Sequence, residues 1–237
     1  MSSAVRRGAG TAPGRGAWLV VVVLAVGCQG PASTLAPSGP RAALAADLWW
    51  LMFWLSVPIL ALVLAVLGYA VVRARRERAA ERAVVDDNLL IVGGGIVLPL
   101  VVLPILWVVT LRGMRTDAEP VAPPTLTIEV AARQWAYEVR YPEHGITLTN
   151  EMRLPAGQPV SLRVTSMDVI HSFWAPRLMG KVDMLPGKVN QTWIQAAEPG
   201  TYLVECAEFC GLWHARMHLP IIAEPPGQFA AWLESAR

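Results

Sequence analysis

Residues 48–72 carry no charged side chain, and neither do residues 89–111. Each run exceeds the roughly 20 residues an α-helix needs to cross about 30 Å of hydrocarbon. Uncharged runs this long predict two transmembrane helices. Between them Arg73, Arg75, Arg76, Arg78 and Arg82 mark residues 73–88 as a cytoplasmic loop, because cationic loops stay on that side of the bilayer. Residues 48–111 therefore read as a transmembrane hairpin with both ends on the outer face. Trp49, Trp50 and Trp54 suit an interfacial aromatic belt, and Gly93, Gly94 and Gly95 would allow close helix approach.

Composition agrees. Hydrophobic residues make up 54% of the chain and charged ones 16%, and the apolar excess lies before residue 112, so a membrane part and a water-facing part are expected. Residues 1–27 read as a signal peptide, with Arg6, Arg7 and Arg15 before a short apolar run. The run ends Leu24-Ala25-Val26-Gly27-Cys28, which resembles a bacterial lipobox and would make Cys28 a lipidated N-terminus. Residues 28–47, rich in Pro, Ser, Gly and Ala, read as a linker on the outer face, and residues 112–124 as a second linker.

Residues 125–237 read as one domain. Strand-like runs at 125–131, 135–141, 160–166, 191–194, 202–205 and 218–223 alternate with Pro/Gly turns, which indicates an antiparallel β-sandwich. Residues 228–235 are expected to form a terminal helix. Residues 116–237 hold 9 Lys and Arg against 13 Asp and Glu. That mild acidity favours a basic partner over nucleic acid.

The chemistry is concentrated in the segment Cys-Ala-Glu-Phe-Cys-Gly-Leu-Trp-His-Ala-Arg-Met, from Cys206 to Met217. Thiolate, imidazole and thioether are the ligands of copper electron-transfer sites. One cysteine serves a single copper; Cys206 and Cys210 offer enough thiolate to bridge two. A disulfide between them would leave His214 and Met217 without a role, and methionine is a poor zinc ligand. In an extended strand the two sulfurs would lie about 13 Å apart at ~3.3 Å per residue. The segment must therefore fold back, and Gly211 is the natural turning point. A second imidazole has to come from elsewhere. His144 lies in a turn and His218 heads a strand, while His171 follows a strand in an apolar setting, which makes it the choice.

The chain resembles subunit II of bacterial haem–copper cytochrome c oxidases, in particular their binuclear copper A module. The resemblance rests on the Cys206 to Met217 segment, on Asp-Val-Ile-His-Ser-Phe-Trp-Ala-Pro from Asp168, and on Gly-Lys-Val-Asp-Met-Leu-Pro-Gly-Lys-Val-Asn-Gln from Gly180. It implies a cupredoxin-like sandwich anchored by two helices in the bacterial inner membrane. By the same resemblance Cys206 and Cys210 bridge two coppers, His171 and Met217 complete one, and His214 with the Glu208 carbonyl completes the other. The Glu208 side chain would share a magnesium ion with subunit I. Trp135, after Gln134, would receive the electron from cytochrome c, although period alone makes the face it shares with Tyr137, Val139 and Tyr141 simply core. The chain departs from the family at Ala136 and Tyr137, where larger aromatics are usual. It departs again in lacking a carboxylate between Asn88 and Leu111.

The expected partners are oxidase subunit I, the other oxidase subunits and cytochrome c. A quinol oxidase subunit of the same fold would have lost the copper ligands, and a nitrous oxide reductase would need a further propeller domain. A membrane-tethered copper carrier is the remaining alternative.

Overall fold

The computed structural model describes residues 30–76, 88–120 and 122–236. The expected leader at 1–27, Cys28 and most of the loop at 73–88 lie outside the described residues.

Helix α1 spans Pro40–Arg76. A π-helical stretch, Leu89–Val97, runs straight into α2, Leu98–Ala118. Within these, Pro40–Ala74 and Ile91–Arg115 are long and apolar enough to cross a membrane. The helices begin and end beyond the expected hairpin bounds. At 1.5 Å per residue, α1 is about 55 Å long against a hydrocarbon core of about 30 Å. Its first turns consequently stand clear of the apolar span and pack on the β-domain, where Ala42 and Ala46 are buried. Much of what composition suggested as linker at 28–47 and 112–124 is thus helical. The glycines fare differently. A Cβ built on Gly94 or Gly95 would meet nothing within 4 Å, so these two do not mediate contact with α1.

The β-domain holds ten strands among the described residues. β1 (Thr127–Arg133), β2 (Ala136–Tyr141), β3 (Ile146–Thr149), β5 (Val160–Ser166) and β8 (Asn190–Ile194) form one sheet in the order β3-β2-β1-β5-β8. β4 (Met152–Pro155), β9 (Gly200–Glu205) and β10 (His218–Glu224) form the second, ordered β4-β10-β9. β6 (His171–Phe173) and β7 (Val182–Met184) pair alone. The antiparallel expectation holds for most pairings, but β1 with β5 and β10 with β4 run parallel. A terminal helix α3, Pro226–Ser235, closes the chain.

Period-two alternation builds the core. Ile128, Val130 and Ala132 of β1 and Val160, Leu162 and Val164 of β5 point inward, toward Leu219 and Ile221 of β10. Tyr141 joins the two sheets: its hydroxyl donates to the Arg153 carbonyl at 2.8 Å and accepts from the Arg153 amide at 2.7 Å.

The helices and the domain meet at Arg41. Its guanidinium grips both oxygens of Asp117, at the end of α2, at 2.6 and 2.7 Å. It also donates to Thr192 Oγ1 and the Trp193 carbonyl in β8, at 2.8 and 2.7 Å. Trp193 lies beneath the guanidinium and returns its indole N–H to the Asp117 carbonyl at 3.0 Å. Two residues earlier, just before the helix begins, Gly39 passes so close that a Cβ would sit 2.5 Å from the Gln195 carbonyl oxygen and 2.8 Å from that of Leu178. Arg177 then holds the preceding segment through the Ala36 carbonyl and Ser38 Oγ.

Because the Asp117 side chain is 37% exposed, breaking this junction costs less than a fully buried pair. Arg41→Ala is expected to destabilise the detergent-solubilised chain by about 2 kcal/mol. Arg41→Lys should recover only part of it, since an ammonium cannot make the two-pronged grip. Thermal unfolding of the three proteins measures the effect.

Candidate metal centre

The segment from Cys206 to Met217 joins β9 to β10 and folds back on itself. The Cys206 amide donates to the Met217 carbonyl at 3.2 Å, closing the loop at its base. A 3-10 turn at His214–Arg216 shortens the return. Gly211 makes the reversal with φ +120, and a Cβ there would lie 3.2 Å from Gln134 Nε2 and 3.3 Å from the Trp135 ring. Both the backbone angle and the close approach require glycine.

This fold brings the sulfurs together. Cys206 Sγ and Cys210 Sγ are 3.8 Å apart and unbonded. A disulfide would need about 2.05 Å, whereas one metal ion about 2.3 Å from each sulfur spans the observed gap. His171 Nδ1 lies 3.8 Å from Cys206 Sγ, and His214 Nδ1 lies 3.6 Å from Cys210 Sγ. Met217 Sδ lies 3.8 Å from Cys210 Sγ, and the Glu208 carbonyl oxygen 3.2 Å from Cys206 Sγ. Ligand atoms of His171, Cys206 and Cys210 all fall within 4.8 Å of one another. All six residues singled out from the sequence thus converge. Two thiols, two imidazoles, a thioether and a carbonyl form a soft donor set that suits copper.

Partners that the sequence did not reveal hold the ligands in place. Asp168 accepts from His171 Nε2 at 2.8 Å, from the Gln134 amide at 2.7 Å and from the Val169 amide at 2.6 Å. With its Nε2 proton given to Asp168, His171 presents an unprotonated Nδ1 to the thiols. Burial raises the Asp168 carboxyl pKa, but those hydrogen bonds outweigh it and leave the group below the usual carboxylate range. Ser172 Oγ accepts from the Ala207 amide at 2.7 Å, and its carbonyl accepts from the Tyr137 hydroxyl at 2.9 Å. Gln134 Nε2 donates to the Cys210 carbonyl at 2.7 Å. A signal for Asp168 was present, since it lies three residues before His171. For Ser172 and Gln134 there was none, because their partners are distant in sequence.

Trp135 is half-buried against Gly211, and its indole N–H finds no acceptor among the described residues. The Glu208 carboxylate is engaged by Lys181 Nζ, which also contacts Asp183 at 3.3 Å. The hydrogen bond that Lys181 donates to Glu208, then the one it donates to Asp183, holds its pKa above the ordinary value.

Comparison with known proteins agrees with this geometry. Residues 143–225 match the profile of the cytochrome c oxidase subunit II periplasmic domain. The cytochrome c oxidase subunit 2 of Alkalihalophilus pseudofirmus is 32% identical over 217 residues, 88% of this chain and 64% of that one. The chain belongs to the cytochrome c oxidase subunit II family. The subunit 2 of Thermostichus vulcanus is 41% identical over 109 residues, 46% of this chain and 33% of that one. The crystal structure of the subunit II periplasmic domain from Bradyrhizobium japonicum covers 49% of this chain and 96% of its own, at 32% identity and a TM-score of 0.47. The chain spans 64–65% of the length of the first curated relatives it matches. The family is the copper-binding subunit of the oxidase, and the His171, Cys206 and Cys210 group could hold metal.

Burial, then the neighbouring Cys206, pushes the Cys210 thiol up to about 12, so metal must displace its proton at neutral pH. Apparent copper affinity of the full chain should therefore rise about tenfold or more per pH unit between about pH 7 and 9, and loading should fail in acid. Equilibrium copper titration across that range tests the sign and the slope. Asp168→Asn should weaken copper affinity about 10- to 100-fold, since the amide is a poorer acceptor for the His171 N–H, while the thiolate-to-copper absorption bands persist.

Proposed function

We propose that this chain is the electron-accepting subunit of a terminal cytochrome c oxidase. It takes single electrons from reduced cytochrome c on the outer face of a bacterial inner membrane and delivers them to haem in subunit I, where oxygen reduction is coupled to proton pumping. The observation that carries the reading is the convergence of Cys206, Cys210, His171, His214, Met217 and the Glu208 carbonyl around two unbonded thiols 3.8 Å apart.

A copper pair bound here would supply a one-electron carrier whose charge is spread over two ions. The protein's part is to keep the ligands still. Cys206 and Cys210 would bridge the pair, His171 and Met217 would complete one ion, and His214 with the Glu208 carbonyl the other. Asp168 fixes the His171 tautomer, Ser172 ties β6 to the ligand loop, and Gln134 braces the Cys210 carbonyl. With these positions set by the scaffold, gain or loss of an electron would require little rearrangement. Trp135, packed on Gly211, is the group through which the electron would arrive. The Glu208 carboxylate would join a magnesium ion at the boundary with subunit I once Lys181 releases it. The two apolar helices would form the multi-pass anchor and the face for the other oxidase subunits, and Cys28 would add a lipid to that anchor. The domain boundaries follow the same reading, with the copper domain running from residue 125 onward.

A membrane-tethered copper carrier is disfavoured by burial. Handing on a metal requires ligands that a recipient can reach, and His171 and Met217 are 0% and 1% exposed.

The copper-loaded full chain should contain two copper ions and show a mixed-valence electron paramagnetic resonance pattern from one electron shared between them. Glu208→Ala should keep that pattern and lose only the magnesium, because the carbonyl needs no particular side chain. One copper per chain, or loss of copper in Glu208→Ala, would count against the reading.

A further inference from the structure

Tyr137 lies in β2 and is fully buried. Asn150 holds its backbone from both sides. The Tyr137 amide donates to Asn150 Oδ1 at 2.8 Å, and the Asn150 amide donates to the Tyr137 carbonyl at 2.9 Å. Asn150 makes this clamp with φ +54, a left-handed angle that asparagine tolerates better than most residues. The ring therefore enters the sandwich from a fixed point.

Its hydroxyl reaches the metal centre. It donates to the Ser172 carbonyl at 2.9 Å. Ser172 follows His171, and its Oγ accepts at 2.7 Å from the amide of Ala207, the residue after Cys206. The phenol thus stands where β6 meets the ligand loop. Burial first, and then Cys206 by charge and by hydrogen bonding, raise its pKa well above the ordinary phenol range. The hydroxyl keeps its proton, so it has one hydrogen to give and two acceptors within reach, the Ser172 carbonyl and the Cys206 sulfur. A neutral thiol is a weak acceptor, which leaves the hydrogen on the carbonyl. A thiolate competes far better, because charge strengthens a hydrogen bond.

We propose that Tyr137 is a positioning residue whose hydroxyl, shared between the Ser172 carbonyl and the Cys206 sulfur, sets how tightly the copper pair holds its electron. This rests on the reading that Cys206 and Cys210 bridge two coppers. Hydrogen bonding around a cysteine sulfur tunes the potential of copper–thiolate sites. A donor draws charge from the sulfur, and a sulfur with less charge to give stabilises the oxidised metal less. The phenol therefore favours the reduced pair. It is no ligand itself, so its effect is one of degree, on the scale of a single hydrogen bond.

The test is a redox titration of the copper-loaded, detergent-solubilised full chain, followed by absorption and electron paramagnetic resonance. Tyr137→Phe removes the hydroxyl and keeps the ring. At a solution potential fixed at the wild-type midpoint, its ratio of reduced to oxidised copper pair should fall about three- to tenfold, the net worth of one hydrogen bond. Its thiolate-to-copper bands should move to longer wavelength. Ser172→Ala is the control, because it cuts the tie to Ala207 and keeps both the phenol and the backbone carbonyl. It should lower the unfolding temperature and leave the ratio at the wild-type value. An unchanged or higher ratio in Tyr137→Phe overturns the proposal. So does an equal fall in Ser172→Ala, which would show that loosening the loop is enough. Loss of copper from Tyr137→Phe overturns it too, since the hydroxyl would then be a requirement for assembly. Copper content of the wild-type chain is read alongside. Fewer than two ions there refutes the underlying reading, whereas two ions with any of the overturning outcomes refutes the role of Tyr137 alone.

Discussion

Two thiols sit 3.8 Å apart without bonding, and the local structure is arranged around keeping them so. Left alone in an apolar pocket, Cys210 does not give up its proton easily, because burial and the neighbouring sulfur both oppose a negative charge there. The loop from Cys206 to Met217 nevertheless holds them face to face. It is closed at the base by a backbone hydrogen bond, reversed at Gly211, and pinned from outside by Gln134 and Ser172. Each restraint comes from a different part of the chain. Gln134 lies in the turn between β1 and β2, and Ser172 on β6. A short irregular loop thereby acquires the rigidity of the sheets beneath it. Cations are what such a pair of sulfurs lacks, and metal supplies them.

Much of this was legible in the sequence for definable reasons. Two thiols, an imidazole and a thioether within twelve positions have few other uses, so Cys206, Cys210, His214 and Met217 stood out, while Glu208 was named from the family resemblance. His171 was reachable by elimination among four histidines. The six expected strands are present because β1, β5 and β10 alternate cleanly between core and solvent. β3, β4, β6 and β7 escaped notice, being only three or four residues long, too short for a period to declare itself. The two parallel pairings were invisible as well, since partner choice is a property of the assembled sandwich.

The misjudged stretches share one cause. Residues 40–47 and 112–118 look like linker by composition, yet they are helical because tertiary contacts override local preference. Arg41, an isolated cation in an alanine-rich segment, gave no hint that it would satisfy Asp117, Thr192 and Trp193 together. Lys181 on Glu208 is similar: the two lie 27 positions apart and meet only because β7 runs beside the ligand loop.

The Arg41 junction sets a mechanical property of the whole molecule. Electron tunnelling falls off exponentially with separation, so a carrier on a floppy stalk would spend most of its time too far from its acceptor to be useful. Here the stalk has no slack. A continuous helix leaves the bilayer and is bolted to the sandwich by a guanidinium shared between the end of α2 and β8. The height of the sulfurs above the lipid is consequently set by covalent lengths and a few hydrogen bonds, as the reach of a rigid gantry is set by its beams.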